Sequence, residues 1–106
     1  MKLIYAIINS DDAQRVQTKL TKQGYTVTKL ASTGGFLKVG NTTFLIGVEE
    51  EKVEDVIGII KQYSSKRTQT VPSVNTYSGE FSPMPVQVTV GGATIFVTDI
   101  ERFEKL

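Results

Sequence analysis

The chain has 106 residues, 12 of them basic and 11 acidic for a formal charge of +1, and it contains neither Cys nor His. A domain of this size buries roughly two-thirds of the surface its unfolded chain exposes, enough for one core. Near-neutrality gives no electrostatic hold on a nucleic-acid polymer or an anionic membrane; the missing Cys and His remove disulfides, thiolate chemistry, most zinc sites and the usual general base. The expectation is one cytoplasmic domain over 1–106, since "MKLIYAIIN" is too short an apolar run for a signal peptide or for a membrane helix of about 20 residues.

Residues 2–8 are almost continuously apolar and strand-favouring, which predicts a strand buried within a sheet. Asp11 with Gln14 offers a capping pair, Ala13, Val16 and Leu20 keep helical spacing, and Gly24 stands where a left-handed terminal residue belongs, predicting a helix over 12–23. The Thr- and Val-rich segments 25–32 and 42–48 predict a hairpin around a short glycine-bearing turn, 33–40. That turn carries Phe36 and Leu37 at its tip, two apolar side chains with no evident core to enter.

Glu49, Glu50 and Glu51 are expected in the first turn of a second helix, whose Val53, Val56, Ile57 and Ile60 fall on one face. Gly58 is a mild defect there, costing about 1 kcal/mol relative to Ala. Residues 66–84 are rich in Ser, Thr, Gly, Pro and Gln without a period, and read as a long mobile loop. "VQVTV" and "ATIFV" around Gly91-Gly92 read as a second hairpin with a primed turn, and "DIERFEKL" as a closing helical turn.

The resulting class is α+β, a ferredoxin-like βαββαβ plan with an extra C-terminal hairpin strand. Two helices cover only one face of such a sheet. Yet apolar residues alternate onto both faces, Val27 against Leu30 and Phe44 and Ile46 against Leu45, so the second face calls for another subunit and a closed homo-oligomer.

Catalytic candidates are few. Asp11, Asp12, Glu49, Glu50, Glu51, Glu54 and Asp55 gather at helix starts, where capping and the helix dipole account for them. A hydroxyl nucleophile would need Lys29 or Lys38 as its base, so the chain reads as a binding protein rather than an enzyme. Residues 35–42, "GFLKVGNT", approach the phosphate-loop pattern but have Asn41 where Lys is required, and a strand follows where a helix should. Such a turn can still hold phosphate weakly through backbone N–H groups. An RNA-recognition reading fails because "TTFLIGV" has one aromatic and no basic residue.

The segments "TKLASTGGFLKVGNTTFLIGV" (28–48) and "VTVGGATIFV" (88–97), together with "MKLIYAI" and Lys66-Arg67-Thr68-Gln69, resemble the PII-like cyclic di-AMP receptors over nearly the whole chain. The resemblance implies a cytoplasmic homotrimer of ferredoxin-like subunits that binds one cyclic di-AMP at each subunit boundary, needs no further cofactor, and changes loop conformation toward an unknown downstream protein partner. On the family pattern, Thr28 and Asn41 hydrogen-bond base or phosphate, backbone groups of Gly35, Phe36, Leu37 and Gly47 meet phosphate and base edges, and Phe96 stacks. The adenines would then cover Phe36 and Leu37, at about 1–3 kcal/mol per stacked base. Many members carry Asn and Arg where this chain has Gly24 and Thr26. Losing an Arg hydrogen bond to phosphate implies binding about ten- to hundredfold weaker. The alternative implied is a PII-like protein that has lost this ligand and answers another nucleotide or only a protein partner.

Overall fold

The strand predicted at the N-terminus, β1 (Lys2–Asn9), forms the middle of the sheet because both of its edges are paired. The computed structural model describes residues 1–30, 40–74 and 83–106, with backbone only for 69–74 and 83–90. After β1 come α1 (Ser10–Lys22), β2 (Val27–Leu30), β3 (Asn41–Val48), a 3-10 turn (Glu50–Lys52), α2 (Val53–Ser64), β4 (Arg67–Val74), β5 (Pro83–Val90) and β6 (Ala93–Asp99). The antiparallel order β2-β3-β1-β6 is the ferredoxin-like arrangement.

Alternation along β1 decides which residues meet the helices. Ile4, Ala6 and Ile8 turn to one face beside Ile46, Phe44 and Thr42 of β3. They close a core with Val16 and Leu20 of α1 and Val56 and Ile60 of α2. Each fully buried Leu, Ile or Phe in it contributes about 1.5–3 kcal/mol of transfer free energy. Tyr25, in the connection from α1 to β2, ties it to α2 by donating its hydroxyl to Asp55. Gly24 ends α1 at φ +91°, the left-handed conformation its position required.

Three expectations change. Asn9, not Asp11, caps α1, its side-chain oxygen accepting from the Asp11 N–H at 2.9 Å. Helix α2 begins at Val53, so Glu50 and Glu51 sit on the preceding 3-10 turn and Glu54 and Asp55 supply the acidic first turn. Beyond Asp99 the tail has no helical turn.

The largest correction concerns 66–84 and the second hairpin. Instead of a loop running into a β5–β6 hairpin, Arg67–Val74 pairs antiparallel with Pro83–Val90 in a separate two-stranded arm, from Arg67 opposite Val90 to Val74 opposite Pro83. Among the described residues, therefore, no extra hairpin strand extends the main sheet. Pro72 lies opposite Pro85, which a two-stranded ribbon tolerates because both of its strands are edges.

Gly91 and Gly92 join the arm to β6 rather than turning a hairpin, at φ +82° and +85°. A Cβ at Gly91 would stand 2.6 Å from the Ser65 carbonyl oxygen and 2.7 Å from the Arg67 guanidinium, so only glycine is accommodated. The Gly92 N–H donates to the Ser64 carbonyl, so the two chain crossings at the root of the arm adjoin.

Candidate functional site

The face of the sheet turned away from the helices carries Leu3, Tyr5 and Ile7 of β1, each only half-buried. Register places Thr28, Leu45, Tyr5 and Phe96 in one row across all four strands. Phe96 is 46% exposed, unusual for a phenylalanine in a strand. Among the described residues the face is thus largely apolar and uncovered within one chain.

At one end of this face, Leu3, Thr26, Thr28, Leu45 and Gly47 line a cavity of about 590 Å³, within the roughly 300–1,000 Å³ range of small-molecule sites. Thr28 and Gly47, both implied by the family resemblance, are thereby brought together. A Cβ at Gly47 would meet nothing within 4 Å. Packing within the chain therefore does not demand glycine at this position, and the open space is available to whatever enters the cavity.

The tail forms the remaining wall through Ile100, Phe103 and Lys105. Its root is fixed by the Ile100 N–H donating to the Met1 carbonyl at 3.1 Å and by an ion pair between Lys2 and Asp99. The mutual hydrogen bond pushes Lys2 above its ordinary value and holds Asp99 below its own, each toward its charged form.

The other predicted residues are dispersed. Phe96 and Thr28 stand at opposite edges of the sheet, three strand spacings or about 14 Å apart. Asn41 is at the far end of β3 from Gly47, about 20 Å away at roughly 3.4 Å per residue. It lines a separate cavity of about 270 Å³ with Lys66, Gly91 and Thr94 at the root of the arm. Gly35, Phe36 and Leu37 lie outside the described residues. Sequence reasoning missed Leu3 and Leu45, which strand parity could have found, and Phe103 and Lys105, for which there was no signal.

A second cluster joins the helix layer to the arm. Asp12, fully buried in the first turn of α1, accepts from both terminal nitrogens of Arg67, at 2.8 and 3.2 Å, and from Arg15 at 2.7 Å. Burial by itself would raise the Asp12 carboxyl; the hydrogen bonds from Arg67 and then Arg15 outweigh it and hold the group below the usual carboxylate range. Close by, the Ser10 N–H donates to the Gly40 carbonyl at 2.7 Å, and the Ser10 and Thr42 hydroxyls meet at 3.0 Å. The start of α1 therefore touches both the exit of the 31–40 segment and the root of the arm. This is structural chemistry: among the described residues, no three His, Cys, Asp or Glu side chains gather to hold a metal, and no helix is long and apolar enough to cross a membrane.

The whole chain, residues 1–106, matches the family model described as the cyclic-di-AMP receptor. A "Nitrogen fixation nifHD region GlnB-like protein 1" of Methanothermococcus thermolithotrophicus is 36% identical over 78 residues, covering 61% of this chain and 74% of that protein. A crystal structure of a functionally unknown protein from Pediococcus pentosaceus superposes with a TM-score of 0.77 at 41% identity, over 99% of this chain and 96% of that one.

Proposed function

The chain belongs to the cyclic-di-AMP receptor family, and from that membership we propose that it is a non-enzymatic cytoplasmic receptor that binds cyclic di-AMP between the subunits of a homotrimer. The observation that carries this reading is the joint placement of Thr28 and Gly47 on one cavity of the uncovered sheet face. Cyclic di-AMP offers that cavity two flat bases and two phosphates. The Thr28 hydroxyl and the exposed backbone beside Gly47 meet polar edges, while Leu3 and Leu45 meet a purine face.

Dispersion of the remaining residues supports a site shared between subunits. One ligand near Thr28 does not also reach Phe96 of the same chain about 14 Å away, whereas a neighbouring copy packed on the apolar face brings its own outer strand to that cavity. The same packing covers Tyr5 and Phe96. Asn41, on the cavity at the arm's root, and Gly40, whose carbonyl accepts from the Ser10 N–H beside the Asp12–Arg67 pair, give ligand occupancy a route to the arm. The arm is the element a downstream protein would read.

Calorimetry with cyclic di-AMP, ATP and cyclic di-GMP, combined with native mass measurement of subunit number, tests the reading. Micromolar or tighter binding of the first alone, one per subunit in a trimer, is expected. No heat with cyclic di-AMP, or a stronger response to ATP, transfers support to the second reading, a PII-like protein that has lost this ligand. Thr26 on the cavity wall and the GlnB-like relative are the observations favouring that alternative. Persistence of the nucleotide unchanged on long incubation is expected of either receptor; its turnover would overturn the non-enzymatic part.

A further inference from the structure

The helix layer differs in charge from one end to the other. At the root of the arm, Arg15 of α1, Tyr63 of α2, Lys66 and Arg67 stand on the wall of one cavity of about 250 Å³. Lys19, one helical turn beyond Arg15, holds its ammonium 5.4 Å from the centre of the Tyr63 ring, so the aromatic is flanked by cations. Carboxylates at this end answer little of that charge. Asp12 is fully buried and shared by two guanidiniums, and Asp11, which acts on Arg67 from the first turn of α1, is exposed. Among the described residues neither Lys19 nor Lys66 has an acidic partner. The acidic groups of the layer, Glu50, Glu51, Glu54 and Asp55, gather instead at the start of α2, the opposite end of that helix.

Arg15 is the best prepared of these groups. One terminal nitrogen donates to the buried Asp12 carboxylate at 2.7 Å, which fixes the guanidinium, while the side chain is 61% exposed and its other N–H groups have no acceptor among the described residues. A guanidinium anchored in this way has already lost the rotamer freedom that binding would otherwise take, and its fork matches a carboxylate. Arg and Tyr are also the side chains that most often carry the energy of an interface.

We propose that this cationic seam is a docking surface for an acidic segment of a partner protein, whose carboxylates pair with Arg15, Lys19 and Lys66 around the Tyr63 ring. The partner's role rests on the receptor reading just given, whereas the contact itself does not involve the 590 Å³ cavity. Neighbouring copies packed on the apolar face leave the helix layer outward, so the seam stays open in the assembly. Arg67 belongs both to this surface and, as its first residue, to β4. A partner seated there touches the arm at its root. A nucleic acid is the weaker fit, because the chain as a whole is nearly neutral and these cations are confined to one end of the layer.

The test is fluorescence anisotropy of a labelled oligoglutamate peptide titrated with the full chain at two salt concentrations, beside native mass for subunit number and an RNA oligonucleotide of equal length as a second polyanion. The parent is expected to bind the peptide at submillimolar affinity, and more weakly at the higher salt. Arg15→Gln is expected to weaken binding about tenfold and Lys19→Gln about threefold, with Arg15→Lys between the parent and Arg15→Gln. Lys52→Gln, the same change of charge at the acidic end of the layer, is expected to bind like the parent. Parent-like binding by both Arg15→Gln and Lys19→Gln, an equal loss in Lys52→Gln, or tighter binding of the RNA overturns the assignment. A subunit number that rises with concentration and falls back in Arg15→Gln overturns it too, by giving the seam to the acidic helix start of a second copy. A parent that binds the peptide but no cyclic di-AMP overturns the receptor reading and leaves the surface standing; one that binds cyclic di-AMP but not the peptide overturns the surface alone.

Discussion

The two faces of the sheet are built from neighbouring residues of the same strands, yet they end in different states. Ile4, Ala6, Phe44 and Ile46 are sealed beneath two helices, whereas Leu3, Tyr5, Leu45 and Phe96, one position away in each strand, remain partly in water. Hydrophobicity alone does not distinguish the sets. The difference is that α1 and α2 pass over one face, so the chain completes one core by itself and leaves the second face partly in water. Substitutions on the first face should therefore act on folding, and those on the second on assembly and binding.

Phe44→Ala attacks the sealed face and is expected to cost about 3–5 kcal/mol of folding stability, read as a lowered urea midpoint. Phe96→Ser is the counterpart on the uncovered face. It should leave a folded subunit but weaken association by about 1.5–3 kcal/mol per ring withdrawn from burial, seen as smaller species in native mass spectra. A large loss of subunit stability with the subunit number unchanged would contradict the comparison.

Asp12→Asn tests the seam between the helix layer and the arm. The expected loss is about 1–3 kcal/mol, at the lower end because both guanidiniums are partly solvated. Since the folded carboxyl lies below its ordinary value, its contribution is complete above about pH 4 and fades as the pH falls through the lowered value. The difference in melting temperature between parent and variant should accordingly shrink toward acid. A difference constant from pH 7 to pH 3 would show that the carboxylate is not what holds the seam.

Gly47→Val should have the smallest effect on folding, because a Cβ there has open space and valine suits a strand. Its cost should appear instead in cyclic di-AMP affinity, reduced at least about tenfold as the branched side chain enters the cavity, measured by calorimetry beside a thermal melt. Parent-like affinity would separate Gly47 from the ligand.

These contrasts also show what the sequence could reveal. β1 was legible because a run buried in mid-sheet is apolar at every position, and α1 because Val16 and Leu20 keep a helical face. The arm was illegible for the converse reason. A two-stranded ribbon standing apart from the core imposes no alternation, and Pro72, Pro83 and Pro85 argue against a strand wherever edges are not considered. Gly91-Gly92 misled because a tight turn and a junction ask the same backbone freedom of glycine. Only the non-local pairing of β5 with β4 distinguishes them.

At the site, Thr28 and Gly47 became visible through family resemblance and were then joined by strand register. Lys105 could not be found that way, because "ERFEKL" carries no period that records where the tail lies. Its position depends on ties between residues at the two ends of the chain, the Ile100 N–H to the Met1 carbonyl and Asp99 to Lys2.

The meeting of Ser64 and Gly92 makes the arm an insertion in the topological sense: the polypeptide leaves the body and returns to it at almost the same point. Shortening or lengthening the ribbon changes only the size of a closed excursion, at an entropic cost that grows slowly with length. The β2-β3-β1-β6 threading is untouched. The length and chemistry of the ribbon can thus change while the hydrophobic interior of the body stays fixed.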